Sequence, residues 1–279
     1  MMVSPGFFRK GSLHFYQCKL FILRFYLMSM KNVIRGLFFV GVFIMTFTSC
    51  KKETETFSTA SLQDFFPLKI GKKWIYRIDS IVPATFGVAL LTKTYHAKDT
   101  VVSTFNDNQG RLSYVIFRYI RDTAGKQPWI FGTTIHATPT AKWVEYVENN
   151  LRYIKISLPI NEGYSWYGHA FIDTRNTNYT YLDKLNGWEY TWQNVNQSYR
   201  VLNKTYDSTA TIAQNDETTP PGPFDPNNFK QRTFGKEVYA KGVGLIHKDF
   251  LYWTWQTTPP PAKFQDDSYG IRLDLISTN

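Results

Sequence analysis

The sequence predicts an all-β, predominantly antiparallel fold, a curved sheet or half-barrel with at most short helices, and three observations predict it. The first is composition: Thr, Tyr, Val, Ile and Trp abound, Asn, Asp and Gly interrupt them often, and 17% of residues are aromatic. That is strand and turn composition. The second is alternation. Trp74-x-Tyr76-x-Ile78, Leu112-x-Tyr114-x-Ile116, Trp188-x-Tyr190-x-Trp192 and Leu251-x-Trp253-x-Trp255 each place their large side chains on one face of a strand. The third is an internal repeat. Phe66-Pro67-Leu68-x-x-Gly71-x-x-Trp74 and Leu158-Pro159-Ile160-x-x-Gly163-x-x-Trp166 share one pattern 92 residues apart. Pro fixes φ and stops the preceding element, Gly admits a positive φ, and Trp plugs the core as the strand begins. The repeat reads as two equivalent turns of a duplicated β-unit.

The local elements follow in order. Ser61 can cap a short helix over 62–66, just before Pro67. Lys142 to Val147 and Leu151 to Ser157 form a hairpin around Asn149-Asn150, because Asn tolerates the positive φ of tight turns. Residues 214–231 are Pro- and Asn-rich and read as a long loop, functional or mobile. Thr257 to Asp267, with Pro259-Pro260-Pro261, reads as the tip of a terminal hairpin joining Gly244–Trp255 to Tyr269–Ile276. Residues 62–279 are expected to be a single β domain.

The chain ahead of that domain is a different kind of sequence. Lys31 and Arg35 precede an apolar run from Gly36 to Phe47, then small Thr48 and Ser49, then Cys50. Positive region, short apolar region and small residues before a cleavage point make a signal peptide over 28–49. The apolar run is short for a membrane-spanning helix of about 20 residues. Phe47-Thr48-Ser49-Cys50 resembles the lipobox of bacterial lipoproteins, departing from it at Phe47, where a small aliphatic is usual. The resemblance implies cleavage before Cys50 and a palmitate-type lipid anchor on that residue. Residues 1–27 read as an extension from a mis-assigned start, with translation beginning at Met28 or Met30, and polar residues 50–61 as a lipidated flexible tether. The Lys51-Lys52-Glu53-Thr54-Glu55 run resembles export signals that carry some Bacteroidota lipoproteins outward. Either leaflet of the outer membrane fits.

The two Pro-x-x-x-Gly-x-x-Trp landmarks, together with Tyr239-Ala240-Lys241-Gly242-Val243-Gly244-Leu245-Ile246, resemble a family of Bacteroidota outer-membrane lipoproteins. The resemblance spans nearly the whole exported part and implies the antiparallel β fold, but no activity. Asp79-Ser80-Ile81, Asp99-Thr100-Val101, Asp122-Thr123-Ala124 and Asp207-Ser208-Thr209 each resemble the triplet that directs O-glycosylation of such exported proteins. Ser80, Thr100, Thr123 and Ser208 are the acceptors it implies.

Charge and chemistry narrow the function. The +10 of the whole chain includes six basic residues within 1–49 and no acidic ones; the 26 basic and 22 acidic residues that remain give +4. Lys and Arg are interspersed with acids and hydroxyls, without the clustered footprint that nucleic acid requires. Cys18 and Cys50 are the only cysteines, so the exported domain has no thiol, disulfide or thiolate metal ligand and depends on burial for stability. His96, His136, His169 and His247 stand in no metal or triad spacing, and Gly163-Tyr-Ser165-Trp-Tyr-Gly168 is one residue too long for a nucleophile elbow. Glu145, Glu148, Glu162, Asp173 and Glu189 include candidates for a glycosidase pair, which requires two carboxylates about 5–9 Å apart. Solvated strand faces explain them better. Trp188, Tyr190, Trp192, Trp253 and Trp255 are candidate ligand-binding residues, a platform for a sugar or lipid, with core packing the competing reading. The sequence therefore favours a lipid-anchored, non-enzymatic binding or presentation module without metal or cofactor, its ligand a carbohydrate, a lipid or an envelope protein. The alternatives are a carbohydrate-active hydrolase and an accessory subunit that docks another envelope protein.

Overall fold

In the computed structural model, residues 61–175 and 180–279 are described. Cys50, the signal segment, the extension before it and residues 50–60 of the tether lie outside them. One helical turn, α1 (Leu62–Phe65), precedes the strands. These are β1 (Lys73–Pro83), β2 (Leu90–Asn106), β3 (Leu112–Arg121), β4 (Ile130–Pro139), β5 (Trp143–Glu148), β6 (Leu151–Ser157), β7 (Ser165–Trp166), β8 (Tyr190–Val201), β9 (Lys204–Thr219), β10 (Lys230–Ala240), β11 (Gly244–Gln256), β12 (Lys263–Phe264) and β13 (Tyr269–Thr278). Short 3₁₀ turns span Thr85–Gly87 and Thr180–Leu185.

All strands join one antiparallel sheet in the order β6-β5-β4-β3-β2-β1-β13-β11-β10-β9-β8-β7, with β12 paired to β11 off this path. Each half of the chain is a six-stranded meander, β1 to β6 and β7 to β13 with β12 left off the path. The first strand of the first half pairs with the last of the second, Trp74 opposite Thr278. At the other edge Ile154 N–H donates to Gly168 O at 2.8 Å, bringing β6 to the chain just past β7. The sheet is thus a nearly closed barrel built from two related halves.

The repeat seen in the sequence supplies corresponding seams. Gly71 (φ +86°) and Gly163 (φ +77°) hold the left-handed turn each pattern needs. Gly71 N–H donates to Val101 O and Val101 N–H to Lys72 O; 92 residues on, Gly163 N–H donates to Trp192 O and Trp192 N–H to Tyr164 O. Trp74 and Trp166 then enter the core, their Nε1 donating to Val243 O (2.6 Å) and Ile154 O (2.9 Å). Trp192 Nε1 also crosses to Ser157 O of β6 at 2.9 Å, so two buried indoles and a backbone bond close the edge. A buried indole N–H without such an acceptor would cost on the order of 1–3 kcal/mol.

Local chemistry explains the short elements. Asp64 N–H donates to Ser61 Oγ, and Ser61 N–H to Asp64 Oδ2, a reciprocal cap on α1. The helix stops at Phe65, one residue before the predicted end, since Phe66 precedes Pro67 and leaves the helical region. Asn149 (φ 52°) and Asn150 (φ 62°) turn β5 into β6 as the sequence predicts. The predicted loop over 214–231 is shorter: 214–219 continue β9, whose Thr219 still pairs with Gln231. Polar residues there read as loop because ladder pairing to β10 is a long-range property.

Two buried clusters fill the barrel. One gathers Phe65, Ile156, Trp166, Trp188, Tyr190, Trp192 and Tyr239, the other Trp74, Tyr76, Ile78, Ile116, Ile135 and Leu273. The far end of the β8–β9 hairpin covers the outside of β10 and β11, with Tyr199 against His247 at a centroid distance of 5.6 Å, so strands there are buried on both faces.

Candidate functional site

The barrel interior is not uniformly apolar. Six ionisable side chains, three acids and three bases, project into it from six strands. Arg118 of β3 donates through Nε and Nη2 to both oxygens of Asp99 on β2, 2.7 Å each, and through Nη1 to Glu148 of β5 at 2.8 Å. Lys155 of β6 bonds Glu237 Oε1 of β10, Tyr239 OH donates to Glu237 Oε2 at 2.7 Å, and Lys248 Nζ of β11 lies 3.9 Å from Glu237 Oε1. Isolated charges at such depth are very costly, and close pairing offsets that cost. Burial opposes the charge on Arg118, but Asp99 and then Glu148 outweigh it and hold the guanidinium well above its ordinary range. Burial also opposes ionisation of Glu237 and Glu148. Lys155 and Lys248 outweigh it at Glu237, and Arg118 leads at Glu148, so both carboxyls titrate below their usual range.

Next to this cluster lies a cavity of about 190 Å³. A smaller void of about 40 Å³ shares Glu148, Lys155, Glu237 and Lys248 with it and reaches Phe66, Trp74 and Arg118. Tyr153, Trp188, Tyr190, Phe250 and Tyr269 give the larger cavity an aromatic wall, and Leu182, Lys184 and Leu185 of the second 3₁₀ turn form another side. Two glycines make room for the wall. A Cβ on Gly168 would sit 2.2 Å from the Tyr190 ring, and one on Gly235 would sit 2.7 Å from both Trp188 and Gln214.

Two side chains of this wall, each more than nine-tenths buried, carry a polar atom with no hydrogen-bond partner among the described residues: His169 Nδ1 and Gln214 Nε2. Buried polar groups in folded proteins are nearly always satisfied, by protein, by ordered water or by a bound group. His169 sits edge-on to Tyr153, Trp188 and Tyr190, and its Nε2 is 3.2 Å from Tyr190 OH. Burial first, and Lys155 next, push its imidazole down to about 4, so the ring is neutral at pH 7.

The predicted aromatic residues divide among three places. Trp188 and Tyr190 line the cavity. Trp192 is fully buried in the edge closure beside it. Trp253 and Trp255 do share a face of β11, but Phe250 and Tyr252 on the alternate positions are the ones that belong to the barrel cluster. The two tryptophans pack instead with Phe224 and Phe264, and Trp255 Nε1 donates to Pro226 O, so the proline-rich loops form their own aromatic knot. Of the glycosylation acceptors, Thr123 is exposed, Ser80 and Ser208 are half-buried, and Thr100 Oγ1 is buried without a partner among the described residues.

The candidate acids bond different partners. Glu145 accepts from Arg111 and Arg152, Glu162 from the backbone of Asn194 and Val195, and Asp173 from Arg175 N–H. Glu189 is exposed, and Glu148 alone of the five reaches the cavity. His247 Nδ1 lies 2.7 Å from Asp274, but no hydroxyl bonds the imidazole among the described residues. No group of three or more His, Cys, Asp or Glu is placed to hold a metal ion among the described residues. Sequence reasoning missed Lys155, Gln214, Glu237 and Lys248. Their signal was phase: Glu237 alternates with Tyr239 and Lys248 with Phe250, polar residues in step with large inward ones.

No family model matches the chain, and no curated protein matches it. Among solved structures, a Bacteroides fragilis protein described as exported and of YmcC-like fold aligns at a TM-score of 0.33 and 12% identity, covering 77% of this chain and 99% of that one. A likeness so distant carries no argument about function.

Proposed function

We propose that this protein is a lipid-anchored lipoprotein of the bacterial outer membrane whose β-barrel binds a small polar ligand without transforming it. The anchor rests on the signal-like run ending at Cys50. The binding reading rests on one observation: two orphaned buried polar atoms, His169 Nδ1 and Gln214 Nε2, in the wall of one aromatic-lined cavity. Cavities with an apolar wall and a few convergent polar groups are the usual form of small-molecule sites. Binding is favoured over hydrolysis because a glycosidase needs one carboxylic acid held protonated by a raised pKa. Both cavity carboxyls, Glu148 and Glu237, are pulled the other way.

Native mass spectrometry of the full-length protein isolated from its own membranes tests both parts. The expected mass is that of the chain beginning at Cys50, with an acylated diacylglycerol group and one small-molecule adduct that is lost on denaturation. An unlipidated precursor mass would overturn the anchor, and a bare lipoprotein would overturn the binding reading.

A further inference from the structure

We propose that the cavity takes an acidic monosaccharide, a single pyranose ring bearing one carboxylate, with the carboxylate held by Lys248 and ring hydroxyls by Gln214 and His169. The inference rests on the reading of this cavity as a binding site and adds the chemistry of its occupant.

Size sets the first limit. A cavity of about 150 Å³ accommodates one six-membered ring, and this one, at about 190 Å³, has room for a ring with a few substituents but not for an oligosaccharide. Charge sets the second. Of the wall's carboxylates, Glu148 is taken by Arg118, and Glu237 by Lys155 and Tyr239. Of its lysines, Lys184 is turned to Asp267 at 3.6 Å and to the Tyr252 ring at 3.7 Å. Lys248 is left with Glu237 Oε1 at 3.9 Å, outside hydrogen-bond reach, and no acceptor bonds its ammonium among the described residues. Its counter-charge is present in the cluster but a hydrogen-bonded acceptor is not; a carboxylate is the strongest acceptor for an ammonium and fits beside a ring in the space available. Polarity sets the third. The Gln214 amide nitrogen has no acceptor among the described residues, and His169, neutral at pH 7, has Nδ1 as donor or acceptor according to tautomer. Ring hydroxyls satisfy both, whereas an aromatic acid would leave both orphaned. Trp188 and Tyr190 supply the apolar surface against which a pyranose packs.

The test is titration calorimetry of the full-length protein in detergent with four probes: D-glucuronate, D-galacturonate, D-glucose and benzoate. At least one uronate should bind, with glucose and benzoate each at least about tenfold weaker, because a site built to bond a polar group rejects the analogue that lacks it. Lys248→Met should reduce uronate affinity to that of glucose. Gln214→Leu, which keeps the ion cluster intact, should weaken both sugars and serves if Lys248→Met does not fold. Glucose binding as tightly as both uronates would overturn the carboxylate while leaving the cavity a binding site. Benzoate binding as tightly as the uronates would overturn the sugar, and failure of all four probes at millimolar concentration would overturn the inference. Failure of the binding reading is seen separately, as a bare lipoprotein in the native mass spectrum.

Discussion

Acidification should weaken this fold through one side chain before the carboxyls contribute. His169 is buried against three aromatic rings, with Lys155 adding to the effect of burial, Glu237 opposing it, and Tyr190 OH on its second nitrogen. In the unfolded chain its imidazole titrates at its ordinary 6.5, in the fold at about 4. Between those values the unfolded state binds more protons, so stability falls as pH falls. Linkage makes the loss about 2 kcal/mol between pH 7 and pH 5. Glu148 and Glu237, whose ordinary value is 4.5 and whose folded values are lower, lose their contribution mainly below that interval. Guanidinium unfolding followed by tryptophan fluorescence at pH 7 and pH 5 measures the loss. His169→Phe keeps a ring in the aromatic setting and removes the proton site, so its stability should be nearly flat over the same interval. Parallel losses in the two proteins would refute the assignment.

Other expectations use the same reasoning. Gly168→Ala and Gly235→Ala each drive a Cβ into the cavity wall at 2.2 and 2.7 Å; each should cost about 1–3 kcal/mol by denaturant melts and abolish the ligand adduct. Arg118→Met strands Asp99 and Glu148, so unfolding should show a loss of about 3–5 kcal/mol, partly restored by adding Asp99→Asn. Trp74→Phe and Trp166→Phe each remove an indole bond to a backbone carbonyl in corresponding seams. Their costs, about 1–3 kcal/mol each, should add in the double variant. Cys50→Ser should move the protein from the membrane fraction to the soluble fraction with its far-ultraviolet circular dichroism unchanged; an uncut precursor that remains with membranes would mean the segment is itself a membrane anchor.

What the sequence revealed was what neighbouring residues decide. The Ser61 cap, the Asn149-Asn150 turn and the Gly71 and Gly163 turns are local, and each lies where pattern places it. The duplication was legible because turn chemistry repeats in sequence. The pairing of β1 with β13 and the approach of β6 to Gly168 were not, since they join residues that only the completed barrel brings together. The ion cluster was hidden for a related reason. A charged residue on a strand normally faces water, and only its partners from other strands make Arg118, Lys155 or Glu237 tolerable inside. Trp188 and Tyr190 were legible as large side chains, but one face of a strand does not announce whether it borders a cavity or a packed core. Gln214 read as loop because the strand containing it is polar at its far end.

The central claim is that this cavity is built to be occupied, and Gln214→Leu tests it most directly. An unsatisfied buried amide costs about 1–3 kcal/mol, so in ligand-free protein the substitution should raise unfolding free energy by about 1 kcal/mol or more. The same variant should lose the small-molecule adduct in the native mass spectrum. Greater stability with the adduct gone is the result this account predicts. Lower stability with the adduct retained would contradict it, because the amide would then be serving the fold rather than a ligand.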